Sequence, residues 1–198
     1  MASINIGLII EPSLMSEFYG LLQAGFKIKC QVGTSIENLF YEQFGFDSLV
    51  VEKKISTIFL DGKPVDDIAT TTILDGSTLA LSGAMPGLVG ATLRRKSPLS
   101  SFRESISAGK GSHFINKRDG HIRIKLFNIL LPELGARLLK RGILVPSVEL
   151  KMFLENQSVD FWQGCREISI EGQIFSSEQF LSYLSSRSQD IILLLVRF

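Results

Sequence analysis

Few side chains in this sequence combine the type and spacing that chemistry demands. His113 and His121 flank Asp119-Gly120. An acid–base pair needs a nucleophile or a second carboxylate within reach, and none stands at a readable position, so the two imidazoles are expected at turns or on the surface. Cys30 and Cys165 are far apart and belong to no CxxC or Cys/His spacing. That argues against a zinc site and for a reducing compartment. The stretch Ser107-Ala-Gly-Lys-Gly-Ser112 is superficially similar to a phosphate loop. It lacks the first glycine at the required distance and the Gly-Lys-Ser/Thr ending. No catalytic residue is assigned, and neither a cofactor nor a metal is expected.

Charge is the next source of chemistry. Residues 94–125 hold nine basic side chains against Glu104 and Asp119, a net of +7, although the whole chain carries only +1. Arg94, Arg95, Lys96, Arg103 and Lys110 are the candidate anion-binding residues of this stretch. Its Ser/Gly-rich composition equally suits a solvated linker, which is the reading preferred here. Nucleic acid is not the expected partner, because the near-neutral total gives no general attraction to polyanions.

The elements that must position these residues follow from composition and periodicity. With 45% hydrophobic and 21% charged residues in 198, the chain can bury one ample core or two small ones. No targeting segment is seen, and the apolar runs near the ends are too short to cross a bilayer, so a cytoplasmic location and no membrane partner are expected. Ile4 to Ile10 reads as a strand, Leu14 to Ala24 as a helix stopped by Gly25, and Phe26 to Val32 as a strictly alternating strand with Cys30 on its buried face. Thr34 with Glu37 has capping-box spacing at the head of a second helix ending near Gly45. Ile55 to Leu60 is a strand entering the Asp61-Gly62 turn. Residues 66–74 look irregular, and Asp75-Gly76 leads into Thr78 to Leu81.

The same order continues beyond the basic stretch. Ile122 to Phe127 alternates, and a helical pattern through Leu130, Leu134, Leu138 and Leu139 ends at Gly142. Pro146 to Leu154 reads as a helix, Arg166 to Gly172 as a strand and turn, Ser176 or Ser177 as a cap, and Asp190 to Phe198 as a closing strand. Phe161, Trp162 and Cys165 read as core packing. No internal repeat is apparent. The division expected is residues 1–93, a basic linker over 94–119, and an α+β domain of unassigned type over 120–198.

The order of elements over residues 4–90, and above all Leu74-Asp75-Gly76-Ser77-Thr78-Leu79-Ala80-Leu81, resembles the β-grasp sulfur-carrier proteins. These are the small subunit of molybdopterin synthase and the thiamin sulfur carrier. The resemblance implies a ubiquitin-like β-grasp domain in an α+β chain, and a protein partner of sulfur-transfer or cofactor-assembly type. In those carriers the last strand leads to a free C-terminal Gly-Gly whose carboxylate is activated. The corresponding positions here are Gly87 and Leu88, and more than a hundred residues follow. Sulfur carriage would therefore require cleavage near Gly87 or Gly90. The preferred function is a non-enzymatic binding or adaptor protein that engages its partner through Met85, Pro86, Gly87, Leu88, Val89 and Gly90. The alternative is a ligand-binding protein or enzyme holding an anion between the two domains.

Overall fold

The computed structural model describes residues 3–99, 116–187 and 189–198. In chain order, β1 (Ile4–Ile10) leads through a 3-10 segment (Pro12–Phe18) into α1 (Tyr19–Ala24), and β2 (Phe26–Val32) follows. β3 (Thr34–Ser35), α2 (Ile36–Asn38), a π-helical turn (Leu39–Gln43) and a second such turn (Val50–Lys54) precede β4 (Thr57–Leu60) and β5 (Lys63–Pro64). Then come β6 (Thr72–Ile73), β7 (Thr78–Ser82), α3 (Gly87–Leu93), β8 (Arg118–Phe127) and α4 (Leu130–Arg141). The chain ends with β9 (Ile143–Pro146), α5 (Ser147–Glu155), α6 (Val159–Gly164), β10 (Cys165–Ile170), β11 (Gln173–Ile174), α7 (Ser177–Ser186) and β12 (Ile191–Arg197). The class is α+β, as the mixture of periodicities implies.

Contacts gather the chain into two units, residues 1–27 with 134–198, and residues 28–133. This grouping differs from the serial split at 93 and 120. The reason is strand pairing: β8, which composition assigns to a new domain, runs parallel to β7 with Leu79 opposite Ile124 and Leu81 opposite Leu126. β1 likewise runs parallel to β12, with Ile6 opposite Leu194.

In the first unit the strands follow the order β11, β10, β1, β12, β9. β1 is antiparallel to β10 and β12 is antiparallel to β9. Alternation puts Ile6, Leu8, Ile10, Ile168, Ile170, Ile192, Leu194 and Val196 in the core. Phe18, Phe153 and Phe161 pack against one another with ring centroids 5.0–6.2 Å apart. Trp162 meets the Phe161 ring edge-on at 5.4 Å, so the aromatic cluster is packing.

The second unit orders its main strands β2, β8, β7, β4, β5, with β3 and β6 as a separate pair. β6 lies in the stretch that composition alone leaves irregular. Ile28, Cys30 and Val32 are buried and Lys29 and Gln31 exposed, as the alternation requires. The helix after β3 is capped by Ser35, whose hydroxyl accepts from the Asn38 amide at 3.1 Å, and not by Thr34. Thr34 is committed to β3, opposite Ile73. At the far end of the chain Ser176 and Gln179 form a full capping box.

Each unit carries the same hairpin turn. Asp61 and Gly62 have φ of 51° and 79°, while Glu171 and Gly172 have 48° and 81°, the left-handed pair that a two-residue hairpin demands. Both acidic side chains reach a neighbouring strand: Asp61 accepts from the Thr78 amide at 2.6 Å, and Glu171 accepts from the Asn5 amide at 2.7 Å. Glu171 also accepts from the Asn5 side-chain amide at 3.0 Å. The two bonds from Asn5 favour the ionised form of Glu171 and hold it below the usual glutamate range. The backbone N–H of His121, and then the charge of Arg118, do the same for Asp75.

A carboxyl whose folded pKa is depressed contributes stability above its unfolded pKa, and that contribution is lost as pH falls through the folded value. The denaturant midpoint should therefore decline as pH drops below the ordinary carboxylate range. Glu171→Gln should lower the midpoint at neutral pH and flatten the acid-side decline; an unchanged pH profile would contradict the role given to this bond.

Candidate interaction surface

The segment leaving β7 is built so that its ends are fixed and its middle is presented. At the start, the side-chain oxygen of Asn128 accepts from the Ser82 hydroxyl at 3.1 Å and from the Gly83 amide at 3.3 Å. At the finish, the Arg95 amide donates to the Ser56 carbonyl at 2.8 Å. The Arg95 guanidinium donates to the Val51 carbonyl at 3.0 Å and is only 8% exposed. Burial pushes the guanidinium pKa down, while the charges of Glu52, Tyr41 and Asp66 push it up. Arginine titrates so high that the group stays charged.

Between these anchors Gly87–Leu93 is helical, not an extended tail. Leu88 and Val89 are 73% and 70% exposed, side by side on that helix. Ala84, Pro86 and Gly87 are also exposed, Met85 is half-buried and Gly90 is buried. Both glycines have conformational duties. Gly87 has φ of 77°, a region where a side chain is strained. A Cβ on Gly90 would run into the carbonyl of Met85. The glycine spacing is thus explained by a tight turn and a close approach.

Of the basic residues assigned to an anion site, Arg94, Arg95 and Lys96 are among the described residues. Arg95 is tucked inward as described, Lys96 pairs with Glu52 at 3.4 Å, and Arg94 is exposed. Arg103, Lys110 and His113 lie outside the described residues. Arg118 pairs with Asp75 at 3.3 Å. His121 gives its backbone amide to Asp75 at 2.9 Å and lies exposed within β8, on the surface but not at a turn.

The thiols offer no ready nucleophile. Cys30 is buried in β2, and burial pushes the Cys165 thiol up to about 11, so it is protonated at neutral pH. Among the described residues no group of three His, Cys, Asp or Glu side chains could hold a metal ion, and no helix is long and apolar enough to cross a membrane. An open polar groove is lined by Thr34, Ser35, Glu37, Asn38, Tyr41 and Lys117, among others. Burial, and then the nearby charge of Glu52, raises the Tyr41 pKa, so the phenol is neutral and its O–H can donate.

The chain matches no protein-family model, no curated protein and no solved structure.

Sequence reasoning picked out residues 85–90 but missed Ser56, Val51 and Asn128, which hold the ends of the presented helix. They carry no motif, and only folding brings them within hydrogen-bond distance. Gly90→Ala weighs a helix-propensity gain of ~1 kcal/mol against an overpacking cost of about 1–3 kcal/mol. The clash is with backbone, which cannot move aside as a flexible side chain would. The variant should be the less stable protein in urea titration, and an equal or higher midpoint would contradict the close approach.

Proposed function

We propose that the chain is a non-enzymatic protein-binding module whose contact surface is the short helix over 87–93. The observation that carries this is the exposure of Leu88 and Val89 on a segment anchored at both ends. Single exposed apolar residues are commonplace on protein surfaces. Two adjacent ones on an anchored helix form a preorganised contact, which loses little conformational freedom on binding.

The reading extends to the kind of module. The alternating strands and the Asp-Gly turns over residues 4–90 are what support a β-grasp-like domain over 1–93, and with it a partner of the sulfur-transfer or cofactor-assembly type, while its first strand β1 pairs with β10 and β12. In a sulfur-carrier version of the same reading, the helix over 87–93 would have to unwind and the chain be cut at Gly87 or Gly90. The left-handed turn at Gly87 and the packing of Gly90 both stand against an extended tail in the intact chain. The anion-site reading draws less support, because Arg95 and Lys96 are engaged with carbonyl and carboxylate groups of the same unit.

Leu88→Asp with Val89→Asp separates binding from folding, since neither side chain is buried. The double variant should unfold at the wild-type temperature and lose the proteins that the wild-type chain recovers from its native cell extract. Recovery of the same proteins by both would remove the basis for assigning the surface to this helix.

A further inference from the structure

The two halves of the chain repeat one order of elements. Residues 4–82 run strand, helix, strand, helix, helical turns, strand, tight turn, short strand, strand; residues 122–197 run through a similar series that lacks the 3-10 segment and β3, with α6 in the place of the π-helical turns and α7 in the place of the irregular stretch and β6. Local chemistry agrees with the order. Leu21-Leu22 and Gly25 stand where Leu138-Leu139 and Gly142 stand, at equal spacing. The two glycines close their helices in the same backbone conformation, with φ of 101° and 100°. Gly25 donates to the Leu21 carbonyl at 3.2 Å and Gly142 to that of Leu138 at 3.1 Å.

The second helices begin near Ser35-Ile-Glu37 and Ser147-Val-Glu149, with Ser35 as the cap of one and Ser147 the first residue of the other. The hairpins match residue for residue, Ile58, Leu60, Asp61 and Gly62 against Ile168, Ile170, Glu171 and Gly172. Val65 donates to the Ile58 carbonyl at 2.9 Å, and Phe175 donates to that of Ile168 at 2.9 Å. Asp61 and Glu171 give their amides to the carbonyls of Thr78 and Asn5, both at 2.9 Å. The sheets agree too: the runs β8, β7, β4, β5 and β12, β1, β10, β11 both pair parallel, antiparallel, antiparallel.

The exception to this correspondence lies in which strands meet. β1 belongs to the first half by sequence, yet its partners are β10 and β12 of the second. β8 opens the second half, yet it pairs with β7 and lies beside β2, both of the first. In each case the first strand of one half runs parallel to the last strand of the other.

We infer that the chain is one folding unit duplicated, with the first strand of each copy placed in the other copy's sheet, β8 between β2 and β7 and β1 between β12 and β10. Each half then offers a strand-acceptor slot whose occupant is an apolar, alternating strand of the other half. Gly7 marks the fit of one slot: a Cβ there would stand 2.7 Å from the Ser169 hydroxyl oxygen. Neither half completes its sheet without the other.

A protease recognition sequence inserted after Leu99 allows the purified full chain to be cut between the halves. Under exchange, the cut halves stay together as a 1:1 complex on gel filtration. Their unfolding is coupled to dissociation, so the thermal midpoint of the cut protein rises with concentration while that of the uncut protein does not. Gly7→Val in the cut protein should weaken the association at least tenfold. A midpoint independent of concentration in the cut protein, with each half keeping its strand signal by circular dichroism after separation, would overturn the inference.

Discussion

The parallel pairing of Ile4–Ile10 with Ile191–Arg197 is the contact on which the first unit depends. It joins residues from opposite ends of the sequence, and it sets six aliphatic side chains in one core: Ile6, Leu8, Ile10, Ile192, Leu194 and Val196, each at most 1% exposed. Full burial of such a side chain stabilises by ~1.5–3 kcal/mol. The entropy lost in closing a chain loop grows by only ~0.6 kcal/mol for each doubling of its length. Burial therefore outweighs the sequence separation. The cost of distance appears in folding rate, because long-range pairs form late.

How much of this was legible in the sequence can be judged element by element. The alternation of Phe26 to Val32 identifies β2 and the buried position of Cys30, and Asp61-Gly62 identifies a hairpin turn, because both depend on neighbours in the chain. The partner of Ile122 to Phe127 is a different matter. Its alternation says that one face is buried and nothing about which strand lies beside it, so a composition change at 94 was taken for a domain boundary. The helix at Gly87–Leu93 was hidden for a related reason. A stretch holding Gly87, Gly90 and Pro86 has poor helix propensity, and the anchors at Asn128, Ser56 and Val51 that hold it come from elsewhere in the fold. The cap falls on Ser35 because the helix starts at Ile36, one residue later than the Thr34–Glu37 spacing implies.

The duplicated order also escaped a reading by residue identity. What the halves share is a glycine that ends a helix, a left-handed pair in a hairpin and an acidic side chain reaching the next strand. These are conformational requirements, met by Asp61 in one half and Glu171 in the other. The candidate site is likewise a matter of conformation more than of reactive groups. Arg95, counted from sequence as a free cation, spends its charge inside its own unit. The exposed residues it helps to present, Leu88 and Val89, are apolar, which suits contact with a protein.

Amide hydrogen exchange on the intact chain tests the central pairing most directly. A strand at the end of a chain ordinarily frays and exchanges fast. If β1 is held between β10 and β12, the amides of its inner residues should exchange as slowly as those of Leu194 and Val196, at the rate set by global unfolding. Exchange of Ile6 to Ile9 within minutes, while β12 remains protected, would contradict the account.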